Sequence, residues 1–505
     1  MKSYPNNMQL SQVLHHLHYP CPEHYDRTLH GLALDSRLVH SCFLFLACRG
    51  THLHGKNFID LAVKQQAAAI LCDADNNEFS YTFIDGKVPC FYVPHLTQHV
   101  GDLASFFFNY PSRELNVIGI TGTNGKTSVS HFVAQLLNQR YRCALIGTLG
   151  YGYYGQSLQP SLTTPDPVTL QAFFARCRAE NVHHLVMEVS SHALDQGRVQ
   201  GVNFKTAVLT NVTQDHLDYH GNMENYIQAK QKLFQFDSLH YAVLNADDEI
   251  STRFQTQLSK NVRTLYYGLR NPKAELHAHL LGQDARGYRL RIRSPWGVGE
   301  IYCHLYGHFN INNLLAAAGC LLLEGFNFDN LLKNLSQIKP VIGRMEQFKS
   351  TQHSELPTVI VDYAHTPDAL SKTLTALKER CQGQLWCVFG CGGNRDKSKR
   401  PLMGQAAKLI ADNIIITDDN PRHESSEAII ADILTAWSKQ EPLPMVIPQR
   451  EEAITYAIHS AAANDLILIA GKGHETYQII GDIHHPFSDR ALIQKLLEIP
   501  THSEF

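Results

Sequence analysis

A chain of 505 residues that is 44% hydrophobic and 18% charged carries enough apolar material for about three buried cores. Its formal net charge of −3 excludes a global attraction to nucleic acid or to an acidic membrane. Met1–Pro20 holds no sustained apolar segment of the kind a signal peptide needs, and no apolar run approaches a membrane span, so a cytoplasmic protein without membrane insertion is expected.

Residues 1–110 read as a first α/β unit. Leu32 to Arg37 is expected as a short strand ending in polar residues, and Cys42 to Ala47 as a second strand followed by the turn Arg49-Gly50-Thr51-His52. Asn57 to Gln66 is expected to be helical, and Ala67 to Cys72 a buried strand. The twelve cysteines form no Cys-x-x-Cys pair and read as reduced core residues. Most of the 29 histidines read as ordinary surface or core residues.

Asn109 to Arg113 is a turn and a candidate linker, and residues 111–340 then alternate strand and helix as in a doubly wound sheet. The apolar run Val117-Ile118-Gly119-Ile120-Thr121 ends in Gly122-Thr123-Asn124-Gly125-Lys126-Thr127-Ser128, and Val129, Phe132, Val133, Leu136 and Leu137 continue at helical spacing. Strand, glycine-rich turn and helix N-terminus make an anion site, with Lys126 for a terminal phosphate and the Thr127 hydroxyl for Mg²⁺. The common phosphate loop has Gly five residues before Gly125, where this chain has Ile120, so the loop is a variant. Further strands are expected at Cys143–Ile146, Leu185–Val189, Ala207–Leu209 and Tyr241–Leu244. Glu188 stands near the end of one of them, where nucleotide-hydrolysing proteins place a metal-bound carboxylate. Thr210 to Gly221 is dense in groups able to bind metal or phosphate, and equally able to cap a helix. A hairpin is expected over 275–305, and Gly307 to Asn313 opens a helix.

Residues 341–505 form a third, Rossmann-like α/β region after Ile342-Gly343-Arg344-Met345-Glu346. Its expected strands are Val359–Asp362, Leu385–Phe389, Ile414–Thr417 and Leu466–Ala470. Three run into loops: Gly390 to Lys397, Asp418 to Glu424, and Gly471 to Glu475. Glycine for close approach beside Arg and Glu suits a ligand with both ammonium and carboxylate groups.

Together these stretches resemble the Mur ligase family. The variant loop, Glu188 to His192, Thr210 to Gly221, Gly307-x-Phe309-Asn310-x-x-Asn313, Gly343 to Glu346 and Asp362-Tyr363-Ala364-His365 all look like its motifs. The resemblance spans the chain and implies three α/β domains: 1–110 for a UDP-linked substrate, 111–340 for ATP, and 341–505 for an amino acid. It implies ATP contacts from Gly122, Thr123, Asn124, Gly125, Lys126, Thr127, Ser128, Asn310, Arg344, Asp362 and His365. UDP-substrate contacts are implied for Leu34, Ser36, Thr51, His52 and Leu53, and for Thr163, Thr164, Ser190, Gln196 and Arg198 toward its muramoyl-peptide end. The family often has Asn before the paired threonines, where this chain has Leu162. Mg²⁺ would be held by Thr127, Glu188, His216 and a carbamate on Lys230, with Lys126, Lys230 and His216 as the catalytic set.

Asp419-Asn420-Pro421-Arg422 is similar to the motif of members that add meso-2,6-diaminopimelate, with Arg395, Gly471 and Glu475 as further contacts. Lysine-adding members lack the arginine. Diaminopimelate exceeds lysine by one carboxylate, which a guanidinium binds bidentately. The implied reaction joins meso-2,6-diaminopimelate to UDP-N-acetylmuramoyl-L-alanyl-D-glutamate for peptidoglycan precursor synthesis. ATP activates the substrate carboxylate as an acyl phosphate, and the enzyme is expected to act as a monomer without nucleic acid. The alternatives are a lysine-adding relative, a folylpolyglutamate synthase, or a nucleotide-dependent switch. The N-terminal region and Arg422 argue against the first two. The third lacks the Asn-Lys pair by which such GTPases read guanine.

Overall fold

Three sheets follow one another along the chain in a computed structural model that describes residues 7–50, 53–76, 78–156, 158–160, 162–284 and 287–499. In the first, Gly31–Ala33, Phe43–Ala47, Ala69–Asp73 and Val88–Val93 run parallel, and Ser80–Ile84 closes one edge antiparallel. The strand expected over 32–37 stops at Ala33. The Asp35 carboxylate accepts the Arg37 amide at 2.9 Å and pairs with its guanidinium, turning the chain into a 3₁₀ turn at Ser36–Leu38. A local side-chain cap here wins over strand propensity. The helix expected over 57–66 divides into a 3₁₀ turn, Gly55–Phe58, and an α-helix, Ile59–Lys64.

The second sheet has ten strands, with Asn116–Thr121 near its centre. Its neighbours His184–Glu188 and Phe204–Leu209 are both parallel to it. Buried on both faces, it is apolar almost throughout rather than alternating. Cys143–Gly147 lies beyond one neighbour, and Tyr241–Asn245 followed by Arg263–Gly268 beyond the other. The stretch expected as one hairpin is a three-strand meander, Leu276–Asp284, Gly287–Ser294 and Gly297–Cys303. The long helix His308–Leu323 packs on the helix Lys126–Asn138 within the same apolar core.

In the third sheet, Thr358–Asp362, Leu466–Ala470, Leu385–Phe389, Asn413–Ile416 and Met445–Val446 are parallel, with Glu346–Phe348 antiparallel at one edge. Val341 belongs to the core of the middle sheet and Met345 to that of the third. Between them Gly343 has φ 66°, and a Cβ there would meet the His474 nitrogen at 2.2 Å. Only glycine fits that crossing. Helix starts are set locally: Asp166 caps Pro167–Ala179, Ser190 caps Ser191–Asp195, and Thr366 caps Pro367–Lys378. Among the described residues no helix is long and apolar enough to cross a membrane.

Candidate active site

The phosphate loop leaves its strand at Gly122, φ 144°, and enters the helix at Gly125, φ 88°. A Cβ at Gly122 would lie 1.9 Å from Thr210 Oγ1, and one at Gly125 2.5 Å from Asn313 Oδ1. Both neighbours come from stretches singled out in the sequence. The loop is held from the next strand end. Asn211 accepts the Asn124 amide at 3.1 Å and donates to its carbonyl at 2.9 Å, and Thr210 Oγ1 donates to the same carbonyl at 2.6 Å. The Thr123 hydroxyl donates to the Thr213 carbonyl at 3.0 Å.

Glu188 joins this loop to the next element. Its carboxylate accepts from Thr127 Oγ1 at 3.0 Å, the Thr148 amide at 2.9 Å and Thr148 Oγ1 at 3.1 Å. Its backbone carbonyl accepts from Thr164 Oγ1 at 2.9 Å. Thr164 also accepts the Ser190 amide at 3.1 Å, and its carbonyl takes Arg198 Nη1 at 3.1 Å. Arg198 donates through Nε to Gln196 Oε1 at 3.0 Å, while Thr163 meets Thr148 at 3.2 Å. Thr163, Thr164, Ser190, Gln196 and Arg198 therefore stand together, joined to the phosphate loop through Glu188. Leu162 is largely exposed beside them.

Lys126 Nζ donates to the Gly122 and Thr123 carbonyls at 2.8 and 2.9 Å. Burial holds its pKa below the usual lysine value, against the nearby Glu188 and Asp215 charges. Lys230 Nζ donates to the Gly122 carbonyl at 2.9 Å and lies 4.3 Å from the centre of the Tyr226 ring. Burial, and then the Lys126 charge, push its pKa well down. A lowered pKa favours the neutral amine, the form that can react with CO₂. His216 has φ 55° and burial lowers its pKa to about 3. It meets Asp215 at 3.4 Å, and Asp215 meets His365 from the third sheet at 3.7 Å. Burial would raise the Asp215 pKa, but other contacts, led by the hydrogen bond with His365, bring it below the usual carboxylate value.

Arg344 reaches across from the domain crossing. Its Nη2 donates to Thr127 Oγ1 at 3.0 Å, its guanidinium lies 4.4 Å from the Tyr363 ring centre, and its buried Nε has no hydrogen-bond partner among the described residues. Asp362 accepts the Met345 and Ala364 amides at 2.7 and 2.8 Å, and burial raises its pKa. Asn310 donates to the Tyr306 carbonyl at 2.8 Å and accepts from Asn313 at 3.0 Å. Asn124, Gly125, Ser128, Asn310, Arg344 and Asp362 line one cavity of about 690 Å³ between the second and third sheets. That is the size range of a small-ligand pocket.

In the third region the three loops converge. Arg422, φ 54°, donates from Nη1 to the Gly393 carbonyl at 3.0 Å and the Asn420 carbonyl at 3.3 Å. Burial, then the Arg395 charge, lower its pKa. Asn420 donates to Glu475 Oε2 at 2.9 Å, Asp419 lies against Gly471, and Pro421 closes on Gly393. Leu34, Ser36 and Leu53 stand apart at the end of the first sheet: among the described residues no hydrogen bond or ion pair joins them to the rest. Thr51 and His52 lie outside the described residues.

The donor set fits a magnesium ion in part. Thr127 and Glu188 offer hard oxygens 3.0 Å apart. Lys230 as an amine offers none and fits only as a carbamate. The sequence leaves Thr148 unmarked, places Asn211 only within a flagged stretch, and offers Asp215 as a helix cap, whereas no side chain caps the helix at Leu217. It marks Lys472 only as part of a loop.

The profile of the Mur ligase middle domain matches residues 120–321, that of the Mur ligase glutamate ligase domain matches 343–473, and that of the Mur ligase family catalytic domain matches 28–107. The chain belongs to the Mur ligase family. It is 45% identical over 477 residues to a Coxiella burnetii UDP-N-acetylmuramoyl-L-alanyl-D-glutamate–2,6-diaminopimelate ligase, covering 94% of this chain and 96% of that one. A Chromobacterium violaceum protein of the same name is 44% identical over 92% of this chain and 93% of its own. A solved structure of a ligase of that name superposes with a TM-score of 0.65 at 34% identity, covering 94% and 96% of the two chains.

Proposed function

We propose that this Mur ligase joins meso-2,6-diaminopimelate to UDP-N-acetylmuramoyl-L-alanyl-D-glutamate with ATP, as a cytoplasmic monomer making peptidoglycan precursor. The observation that carries the reading is the full-length likeness to ligases of that name, with Arg422 held at the meeting of three loops.

The substrate carboxylate attacks the γ-phosphorus of ATP, the bond to ADP breaks, and an acyl phosphate forms. The neutral amine of diaminopimelate then attacks the acyl carbon and expels phosphate. Lys126 and the loop amides hold the transferring phosphoryl group, and Arg344 balances its charge. Mg²⁺, bound through Thr127, Glu188, His216 and carbamylated Lys230, would supply further neutralisation of phosphate oxygens. Thr164, one hydrogen bond from Glu188, would place the acceptor together with Ser190 and Arg198, so the reacting carboxylate and phosphate share one short frame. Asn310, Asp362 and His365 serve the adenosine side. Leu34, Ser36, Thr51, His52 and Leu53 serve the uridine end.

The test is phosphate release from ATP. It is expected to require both the UDP-dipeptide and meso-diaminopimelate, and equal turnover with L-lysine would refute the proposed specificity.

A further inference from the structure

Arg400, Arg450 and Lys472 are buried cations behind the loops that converge on Arg422. Arg400 pairs with Glu424 at 3.0 Å and Asp432 at 2.9 Å, and donates to the Gly392 carbonyl at 3.3 Å. Arg450 is bidentate to Asp489 at 2.8 Å and donates to the Ala470 and Asp418 carbonyls. Both take their counter-ions from residues outside the amino-acid contacts proposed above. Lys472 differs. Its side chain is 0% exposed, and it donates to Glu475 Oε2 at 2.8 Å and Asn420 Oδ1 at 3.2 Å. Its counter-ion is itself one of those contacts.

The bonds fix two orientations. Asn420 Oδ1 accepts from Lys472 and from the Ile479 amide at 2.9 Å, so its amide nitrogen must face Glu475. Glu475 Oε2 then accepts from both Lys472 and Asn420, and Oε1 is the oxygen presented to a ligand ammonium. The site's charge follows as well. Arg395, Arg422 and Lys472 stand against Asp419 and Glu475, one positive charge in excess. Diaminopimelate with its attacking amine neutral carries two carboxylates and one ammonium, one negative charge in excess. Lysine in the same state is neutral. Without Lys472 the remaining four residues would be neutral and would lose this match.

We infer that Lys472 is a positioning residue of the amino-acid site: it locks Glu475 and Asn420 in their receiving orientation and supplies the charge that favours the substrate with the extra carboxylate. The inference rests on reading that site as the diaminopimelate site.

The experiment is steady-state kinetics on Lys472→Met, Lys472→Gln, Glu475→Gln and the Lys472→Met/Glu475→Gln double variant. Lys472→Met is expected to raise the KM for meso-diaminopimelate by about 30-fold and to leave the KM for ATP within about twofold. If Lys472 acts through Glu475, the double variant falls no more than about threefold below the worse single variant. Lys472→Gln keeps a hydrogen-bonding side chain in the buried position should Lys472→Met not fold, and it is expected to cut the preference for diaminopimelate over lysine about tenfold. An unchanged diaminopimelate KM in either Lys472 variant overturns the inference. So does full additivity in the double variant, or an equal rise in both KM values. A wild-type enzyme with no diaminopimelate preference overturns the proposed function instead. The Lys472–Glu475 coupling, measured with whichever amino acid it does use, then decides the positioning role.

Discussion

Arg422→Ala tests the specificity argument most directly. The guanidinium is anchored through Nη1 to two backbone carbonyls, so its orientation is set before any ligand arrives. A carboxylate received by such a fork gains two charge-assisted bonds, which after competition with water is worth about 3 kcal/mol, or a factor of about 150 in binding. The backbone at 422 has φ 54°, a cost that arginine, lysine and alanine all bear, so alanine adds little strain of its own. Arg422→Lys keeps the charge and loses the fork, and is expected to fall between the two. The assay is phosphate release at saturating ATP and UDP-dipeptide with either amino acid varied. The KM for meso-diaminopimelate should rise about 150-fold in Arg422→Ala while that for L-lysine moves by less than about threefold. An equal rise for both amino acids would mean that Arg422 holds the loops rather than reads the second carboxylate, and the reasoning would be wrong.

Lys126→Ala is expected to cut turnover by about a thousandfold or more in the same assay, and near-normal turnover would remove it from the phosphate site. Lys230→Met should abolish turnover, and the carbonyl signal of a carbamate formed from ¹³C-bicarbonate should be present in the wild type and absent in the variant. Gly122→Ala forces a Cβ to 1.9 Å from Thr210 Oγ1 and should lose ATP binding while the first sheet stays folded by amide exchange. Glu324→Gln probes stability through pH. Its side chain is 4% exposed, 4.0 Å from His184, and burial lifts its pKa to about 7. Between the usual carboxylate value and that point the folded state binds a proton the unfolded chain has lost, so stability falls as pH rises across the window. The substitution should therefore stabilise by about 3 kcal/mol at pH 8 and hardly at all near pH 4, as read by urea unfolding. An equal gain at both pH values would locate the effect in packing instead.

Strand positions were legible because the parallel sheets are buried on both faces, and their apolar runs stand out between helices. The expected strands at Leu385–Phe389 and Leu466–Ala470 match the structure residue for residue. Legibility failed where a side chain redirected the backbone, as Asp35 does after Ala33. It also failed where a strand shows little alternation or length, as at Met445–Val446 on the edge of the third sheet. At the site the same division holds. Gly122 to Thr127 announces itself because glycine and lysine spacing encodes a local shape. Thr148 through Glu188, Asp215 through His365 and Lys472 through Asn420 matter by partners distant in the chain, and such pairings leave no local pattern to read.

The bonds across the seam between the second and third regions are of another kind from those within them. Asn124 meets Asp368 at 3.2 Å, Gln214 meets Ser398 at 3.1 Å, Arg344 meets Thr127 at 3.0 Å, and Asp215 meets His365. Each is polar and worth about 1–3 kcal/mol net, and Tyr306 and Phe309 add apolar contact with the third core. The apolar cores on either side hold far more, because they bury dozens of side chains completely. The seam is a limited, mixed polar and apolar contact between two separately cored regions, as inter-domain interfaces generally are. It also carries the groups that would complete the nucleotide pocket, since Arg344, Asp362 and His365 come from one side and the phosphate loop from the other. On the proposed reading, nucleotide binding and docking of the third region on the second are linked by the same few side chains, and an acyl phosphate formed between them would be shielded from water only while those contacts hold.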